Sequence, residues 1–117
     1  MSEIIRIETN QRMSRVVSYN GMVWIGGMTA DDTTLDIRGQ TRQVLEKIDR
    51  YLAQAGTDKS KMLSVEIWLK DIERDFSGMN EIWDAWVPAG AAPARATGES
   101  KLARSALLVE IIVTAAT

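Results

Sequence analysis

Two segments of the chain, residues 62–69 and 107–115, carry the clearest strand patterns. Successive side chains of a strand point to opposite faces, so apolar positions that recur with period two predict a β-strand. In the first segment Trp68 interrupts an otherwise polar face, and the apolar face comprises Leu63, Val65, Ile67 and Leu69. In the second segment the run from Ala106 to Val113 is apolar on both faces except for Glu110, as is usual for a strand that is covered on both sides.

The first part of the chain contains three shorter runs typical of strands, at residues 4–7, 13–19 and 22–25. Asn20-Gly21 between the second and third runs is a strong signal for a two-residue hairpin. Gly26-Gly27 follows the third run. Such a pair indicates either a turn or bulge, or a point where the backbone approaches another group closely, and both interpretations stay open.

Two segments show apolar residues at helical spacing. The first extends over about 20 residues from Leu35 and is predicted to end at Gly56, which suits the left-handed conformation after a helix. The second is predicted to begin after Asp75 as its cap and to end before Pro88. Its apolar stripe, in which the paired tryptophans are interpreted as core residues, consists of Phe76, Met79, Trp83, Trp86 and Val87.

The predicted order is β-β-β-α-β-α-β-β in a single domain over residues 1–117. Strands interrupted by two amphipathic helices predict an α+β fold, with both helices on one face of a mixed sheet. The other sheet face also carries apolar side chains, among them Trp68, Leu108 and Ile112. Since the two helices cover only one face, we expect another subunit to cover the second, in a homo-oligomer.

Composition limits the chemistry that this chain can perform. Its 117 residues include no Cys and no His, which excludes thiol nucleophiles, disulfides, Cys/His zinc sites and a histidine general base. We expect no metal and no cofactor. The net charge of −2 and a pI near 5.1 argue against a nucleic-acid partner. Without a membrane-length apolar run or a signal-peptide pattern, the chain is predicted to be soluble and cytoplasmic, with no membrane partner.

The segment at residues 93–99 and the last strand carry the candidate chemistry. Alternation predicts that Arg95, Thr97 and Glu99 share one face. Arg95 offers a planar guanidinium suited to a carboxylate, and an occluded Glu110 could position or deprotonate a water molecule. On neighbouring strands the two would suit hydrolysis of a small organic acid. Alternatively, Arg95 and Glu110 pair with each other or with surface charges, and Asn80 is then only a capping or surface residue.

The assembled pattern resembles the Rid family, also called YjgF-like, whose members are reactive intermediate deaminases that hydrolyse enamines and imines. The resemblance covers nearly the whole chain and is most specific at residues 93–97 and 108–111. Residues 25–27, the helix segments with Gln40-Thr41 and Val44-Leu45, and residues 76–80 support it. It implies a chorismate-mutase-like fold in a homotrimer, with three sheets lining an inner barrel and active sites in the clefts between subunits.

The resemblance also implies roles for individual residues. Arg95 matches the arginine that binds the substrate carboxylate, and Glu110 matches the carboxylate that helps to place the attacking water. Gly27 matches a backbone contact near the ligand, and Asn80 an asparagine near the site. Thr97 stands where many relatives carry Cys, and its hydroxyl is expected to support the substrate or the tetrahedral intermediate.

Three positions depart from the family pattern. Met13 replaces an aromatic residue near the second strand, Met28 replaces a polar residue just after the glycine, and Gly98 stands where a branched apolar residue is usual. Met13 and Met28 are expected to line a more apolar and adaptable substrate pocket. The carboxylate anchor is not affected by these changes.

The function that follows from the resemblance is hydrolysis of 2-imino acids, or their enamine tautomers, to 2-oxo acids and ammonia. The alternative is a trimer of the same fold that binds a small carboxylate without turnover and regulates a partner. A nuclease or translation inhibitor is disfavoured by the acidic pI. A chorismate mutase would share only the fold, which does not determine function.

Overall fold

In a computed structural model that describes residues 3–117, the chain forms one six-stranded sheet and two α-helices. The strands are β1 (Ile5–Thr9), β2 (Ser14–Tyr19), β3 (Met22–Met28), β4 (Met62–Leu69), β5 (Ala94–Glu99) and β6 (Val109–Ala116). Helix α1 is Ile37–Gln54 and helix α2 is Ile72–Trp86, with a short 3-10 turn at Lys59–Lys61 before β4. The predicted order of elements is confirmed.

The sheet has the strand order β1-β2-β3-β6-β4-β5. β4 and β5 pair in parallel, whereas every other neighbouring pair is antiparallel. The last strand of the sequence therefore lies inside the sheet, and β1 and β5 are its edges. The prediction of a mixed α+β sheet with two helices is confirmed.

The core lies between the helices and one face of the sheet. Every second residue of β6 is buried there, from Val109 to Ala115. Helix α1 contributes a buried stripe that includes Val44, Leu45, Ile48 and Leu52. The opposite sheet face is only partly covered, and Trp24 on β3 exposes 41% of its surface. Neither helix within residues 3–117 is long and apolar enough to span a membrane.

The start of α2 differs from the sequence prediction. Asp71, not Asp75, is the N-cap, and its side chain accepts a hydrogen bond from the backbone N–H of Arg74. Asp75 lies in the first turn, is buried and pairs with Arg74 at 2.9 Å. The helix thus begins one turn earlier than predicted, and its buried stripe includes Ile82 and excludes Phe76, which is 43% exposed.

The start of β4 also differs. A register shift between Met62 and Ser64 interrupts its pairing with β6. An extra residue in one strand reverses the direction of the side chains before it. Met62 is therefore buried and Leu63, predicted on the inner face, is exposed.

Gln40 connects α1 to the chain immediately before β6. Its side chain is completely buried. The amide nitrogen Nε2 donates to the carbonyl oxygens of Leu35 at 3.1 Å and Ala106 at 3.0 Å, and Oε1 accepts from the N–H of Leu108 at 2.9 Å. One side chain thus satisfies backbone groups of two segments that are about 70 residues apart in sequence. It determines where β6 enters the sheet.

We expect Gln40→Met to lower the free energy of unfolding by about 3 kcal/mol, because Met keeps the volume and leaves buried backbone groups unpaired. Denaturant unfolding at fixed protein concentration measures this loss. The control is Gln54→Met, the same change at an exposed position of α1, which should change the stability by less than about 0.5 kcal/mol. Equal effects of the two substitutions would show that the Gln40 amide contributes nothing specific.

Candidate functional site

Arg95 lies on the edge strand β5 and faces helix α2. In the parallel ladder it is opposite Val65, a buried residue of the helix-facing side. Its Nη1 donates to Oδ1 of Asn80 at 2.8 Å. Its Cζ lies 5.3 Å from the centroid of the Trp83 ring. The structure therefore brings together Arg95 and Asn80, and adds Trp83, which sequence reasoning assigned only to the core.

Arg95 has no carboxylate partner among residues 3–117. Burial lowers the pKa of its guanidinium, and the charge of Asp84 partly offsets that effect. A guanidinium stays protonated at neutral pH despite such a shift. The alternative that Arg95 pairs with Glu110 or with a surface acid is wrong for this chain, and most of its donors are available.

Glu110 lies on β6, directly opposite Trp68 of β4, on the sheet face away from the helices. Its carboxylate is half-buried above Gly27 of β3. A Cβ atom added at Gly27 would overlap Oε2 of Glu110 and lie 2.9 Å from Cδ. β3 also changes register between Ile25 and Met28. Both features considered for the paired glycines are therefore present, a bulge and a close approach. The missing side chain of Gly27 leaves space for the Glu110 carboxylate.

Arg95 and Glu110 do not lie on neighbouring strands, and that expectation is wrong. Strand β4 lies between β5 and β6. Arg95 aligns with Val65 on the helix side, whereas Glu110 aligns with Trp68 on the opposite side. Within one chain the two groups thus occupy opposite faces of the sheet. We call them the arginine half-site (Asn80, Trp83 and Arg95) and the carboxylate half-site (Gly27, Trp68 and Glu110).

The other predicted site residues divide between these surfaces and the core. Thr97 shares the face of Arg95, and its Oγ1 is buried without a hydrogen-bond partner among residues 3–117. Met13 is exposed just before β2, and its Cε lies 3.8 Å from the Cβ position of Gly26. Met28 is completely buried in the core. The expectation that Met28 lines a substrate pocket is wrong, because the β3 bulge turns its side chain toward the helices.

The Trp68 ring accounts for the glycine at position 98, where relatives usually have a branched apolar residue. A Cβ atom at Gly98 would lie 2.9 Å from the Trp68 ring, so a branched residue there would displace the indole. Next to this contact is a depression of about 310 Å³, lined by Glu66, Ile67, Trp68, Ala96, Thr97 and Gly98. The sequence signal for Trp68 was its place as the one aromatic residue on a polar strand face.

No group of three or more metal-binding side chains among residues 3–117 is arranged to hold an ion. The side chains of the two half-sites supply a guanidinium, an amide and a carboxylate, and the Thr97 hydroxyl lies on the same face as Arg95. Such groups can bind an anion and position water.

Comparison with known proteins matches residues 3–117 to the family model described as Endoribonuclease L-PSP. A RutC family protein of Haemophilus ducreyi is 42% identical over 113 residues, which are 97% of this chain and 96% of that protein. The chain belongs to the RutC/YjgF/Rid family.

Solved structures of this family share its fold. A YjgF family member from Neisseria meningitidis superposes with a TM-score of 0.95 at 42% identity, covering 98% of this chain and 95% of that one. A Rid family protein from Yersinia pestis gives a TM-score of 0.86 at 30% identity over the full length of both chains. Membership in the Rid family establishes the fold, and the reaction must be argued from the site.

The contact between Gly27 and Glu110 leads to a structural prediction. We expect Gly27→Ala to move the Glu110 carboxylate by more than about 1 Å, the shift needed to restore van der Waals contact. Gly26→Ala is the control, because a methyl group there meets nothing closer than 3.6 Å. Crystal structures of both variants test this. An unmoved carboxylate in Gly27→Ala, or an equal shift in Gly26→Ala, would contradict the prediction.

Proposed function

We propose that this Rid family member hydrolyses 2-imino acids and their enamine tautomers to 2-oxo acids and ammonia, in clefts between the subunits of a homotrimer. One observation carries the proposal: Arg95 is held in place by neutral groups and keeps most of its N–H donors unpaired. A guanidinium in that state is a receptor for a carboxylate. The substrates proposed are small acids that carry one.

In this proposal Arg95 binds the substrate carboxylate through two parallel hydrogen bonds. One of its five N–H donors is already occupied by Asn80, which fixes the orientation of the guanidinium plane. The hydroxyl of Thr97 lies on the same face and is buried without a partner among residues 3–117, so a substrate would reach it only after a local rearrangement. Holding the carboxylate at two points fixes the position of the adjacent C2 carbon, where water must attack.

Glu110 activates the water in this proposal. As the water oxygen bonds to C2, the Glu110 carboxylate takes up one proton and passes it to the imine nitrogen. The remaining hydroxyl proton then moves to nitrogen and the C–N bond breaks. Ammonia is released, and the product is a 2-oxo acid. Backbone N–H groups near Gly27 would stabilise charge on the intermediate. An imine is already electrophilic, so this chemistry needs neither a nucleophilic side chain nor a cofactor.

Two chains are required to complete such a site. Arg95 and Glu110 lie on opposite faces of the sheet in one chain. A trimer in which each carboxylate half-site faces the arginine half-site of a neighbour would unite them. It would also cover the open sheet face, where Trp24 is 41% exposed.

A second function is binding of a small carboxylate without turnover, to regulate a partner. The arginine half-site favours it, because Asn80, Trp83 and Arg95 form a carboxylate receptor within a single chain and do not need Glu110. Tight binding of 2-oxo acids without imine hydrolysis would select this function. RNA cleavage is not proposed, since the net charge is −2 and no histidine is present.

We expect Arg95→Ala to reduce imine hydrolysis by about 10- to 1000-fold, the loss of a charge-assisted pair of hydrogen bonds. An amino-acid oxidase generates imino acids from a panel of amino acids, and semicarbazide traps those that are not hydrolysed. Wild type should suppress trapping and Arg95→Ala should not. The control is Arg6→Ala on β1, the opposite edge of the sheet. Activity of Arg95→Ala within twofold of wild type would contradict the anchor role.

Mixing two inactive variants tests whether the site is shared between chains. In trimers reassembled from equal amounts of Arg95→Ala and Glu110→Gln, about one cleft in four receives both intact residues from different subunits. We therefore expect about a quarter of wild-type activity to return after joint refolding. Each variant refolded alone is the control. If the mixture stays inactive although native mass spectrometry shows mixed trimers, the proposed cleft shared between chains is wrong.

A further inference from the structure

We propose that Trp83 is a positioning residue that holds the Arg95 guanidinium ready for an anionic ligand. The inference rests on the proposed function, because it concerns the same carboxylate receptor. Trp83 is 5% exposed, so its ring belongs to the interior, yet its face lies under the guanidinium with Cζ 5.3 Å from the ring centroid. This separation is within the range of a cation–π interaction.

The kind of partner determines whether an arginine can still bind an anion. A carboxylate partner would neutralise the guanidinium and occupy the N–H donors in its plane. An indole instead attracts the cation through its negative π-surface and takes up none of the N–H donors in a hydrogen bond. Asn80 takes only one donor, at Nη1, and is uncharged. Trp83 therefore stabilises the charge of a partly desolvated Arg95 without competing with the ligand.

The neighbouring Trp86 ring helps to fix the orientation of the Trp83 ring. The Trp86 ring packs against it at a centroid distance of 5.4 Å and an angle of 51°. Nε1 of Trp86 donates a hydrogen bond to Asp49 of α1 at 2.9 Å. The Nζ of Lys59 lies over the Trp86 ring, 4.9 Å from its centroid. Trp86 is thus tied to α1 and to the turn before β4, and Trp83 packs against Trp86. A side chain held this firmly can determine the position of the guanidinium on an edge strand.

A tryptophan that only fills the core would behave differently on substitution. Its loss would lower stability and the number of competent sites, but the remaining sites would bind the ligand with unchanged affinity. A positioning residue changes the affinity itself. Calorimetric titration with pyruvate, the smallest 2-oxo acid, separates the two because it gives the stoichiometry and Kd independently.

We expect Trp83→Leu to raise the Kd for pyruvate about 2- to 5-fold with unchanged stoichiometry, as the loss of a cation–π contact with an exposed guanidinium predicts. Trp83→Phe keeps an aromatic face and should raise it less than Leu does. In the imine assay KM should rise while kcat stays within about twofold. Ile82→Ala truncates another buried residue of α2, which lies beside Leu45 of α1, and its Kd should equal that of wild type.

Ring-fluorinated tryptophan provides a test that does not depend on the stability of Trp83→Leu. Fluorine withdraws charge from the ring face with little change in shape, so the fluorinated protein should bind pyruvate more weakly than the ordinary one. The Trp83→Phe variant is the matched background, because the other three tryptophans are fluorinated there too. The effect of fluorine on the Kd should disappear in that background.

The possible results distinguish this inference from the proposed function. If wild type hydrolyses imines or binds pyruvate, but neither Trp83→Leu nor fluorination changes the Kd, Trp83 is a core residue and only the inference is overturned. A fluorine effect that persists in Trp83→Phe would also overturn it. If wild type neither binds pyruvate nor hydrolyses any imine in the panel, Arg95 is not a carboxylate receptor. Both the proposed function and the inference about Trp83 are then overturned.

Discussion

The last strand of the chain is hydrogen-bonded on both sides, and the candidate site depends on this central position. β6 pairs with β3 and β4, so its helix-facing residues form the middle of the core while Glu110 points away from it. The buried amide of Gln40 fixes the entry to this strand through Ala106 and Leu108. A buried polar network of this kind is costly unless every group is satisfied, and here it links the first helix to the final strand.

Strand pleating imposes the second constraint. Side chains of paired residues in neighbouring strands point to the same face of the sheet. Arg95 therefore lies on the face of Val65, and Glu110 lies on the face of Trp68. No rotamer moves a side chain through a sheet. The guanidinium and the carboxylate therefore cannot join in one chain, and in the proposed reaction catalysis becomes a property of the assembly. The partly exposed apolar sheet face is consistent with that dependence.

Local patterns in the sequence predicted the elements well and the geometry between them less well. Period-two alternation identified β4 and the face shared by Arg95 and Thr97, because the alternation is a property of a single strand. It did not reveal that β4 separates β5 from β6, since pairing joins segments that are distant in sequence. The shift before Ser64, which exposes Leu63, was missed, and the possible bulge at Gly26-Gly27 did not reveal that Met28 would be buried. Both depend on the partner strand.

The separation of the two half-sites has a chemical consequence for a chain without histidine or cysteine. An arginine and a glutamate placed within reach on one face would form an ion pair, and each would then be neutralised for its function. Here the sheet lies between them, and the neighbours of Arg95 are an amide and an aromatic face, both uncharged. Glu110 correspondingly lies above a glycine and forms no ion pair with any of residues 3–117. In the proposed reaction each group remains without an ion-pair partner until a ligand that is an anion at one end and an electrophile at the other lies between two chains.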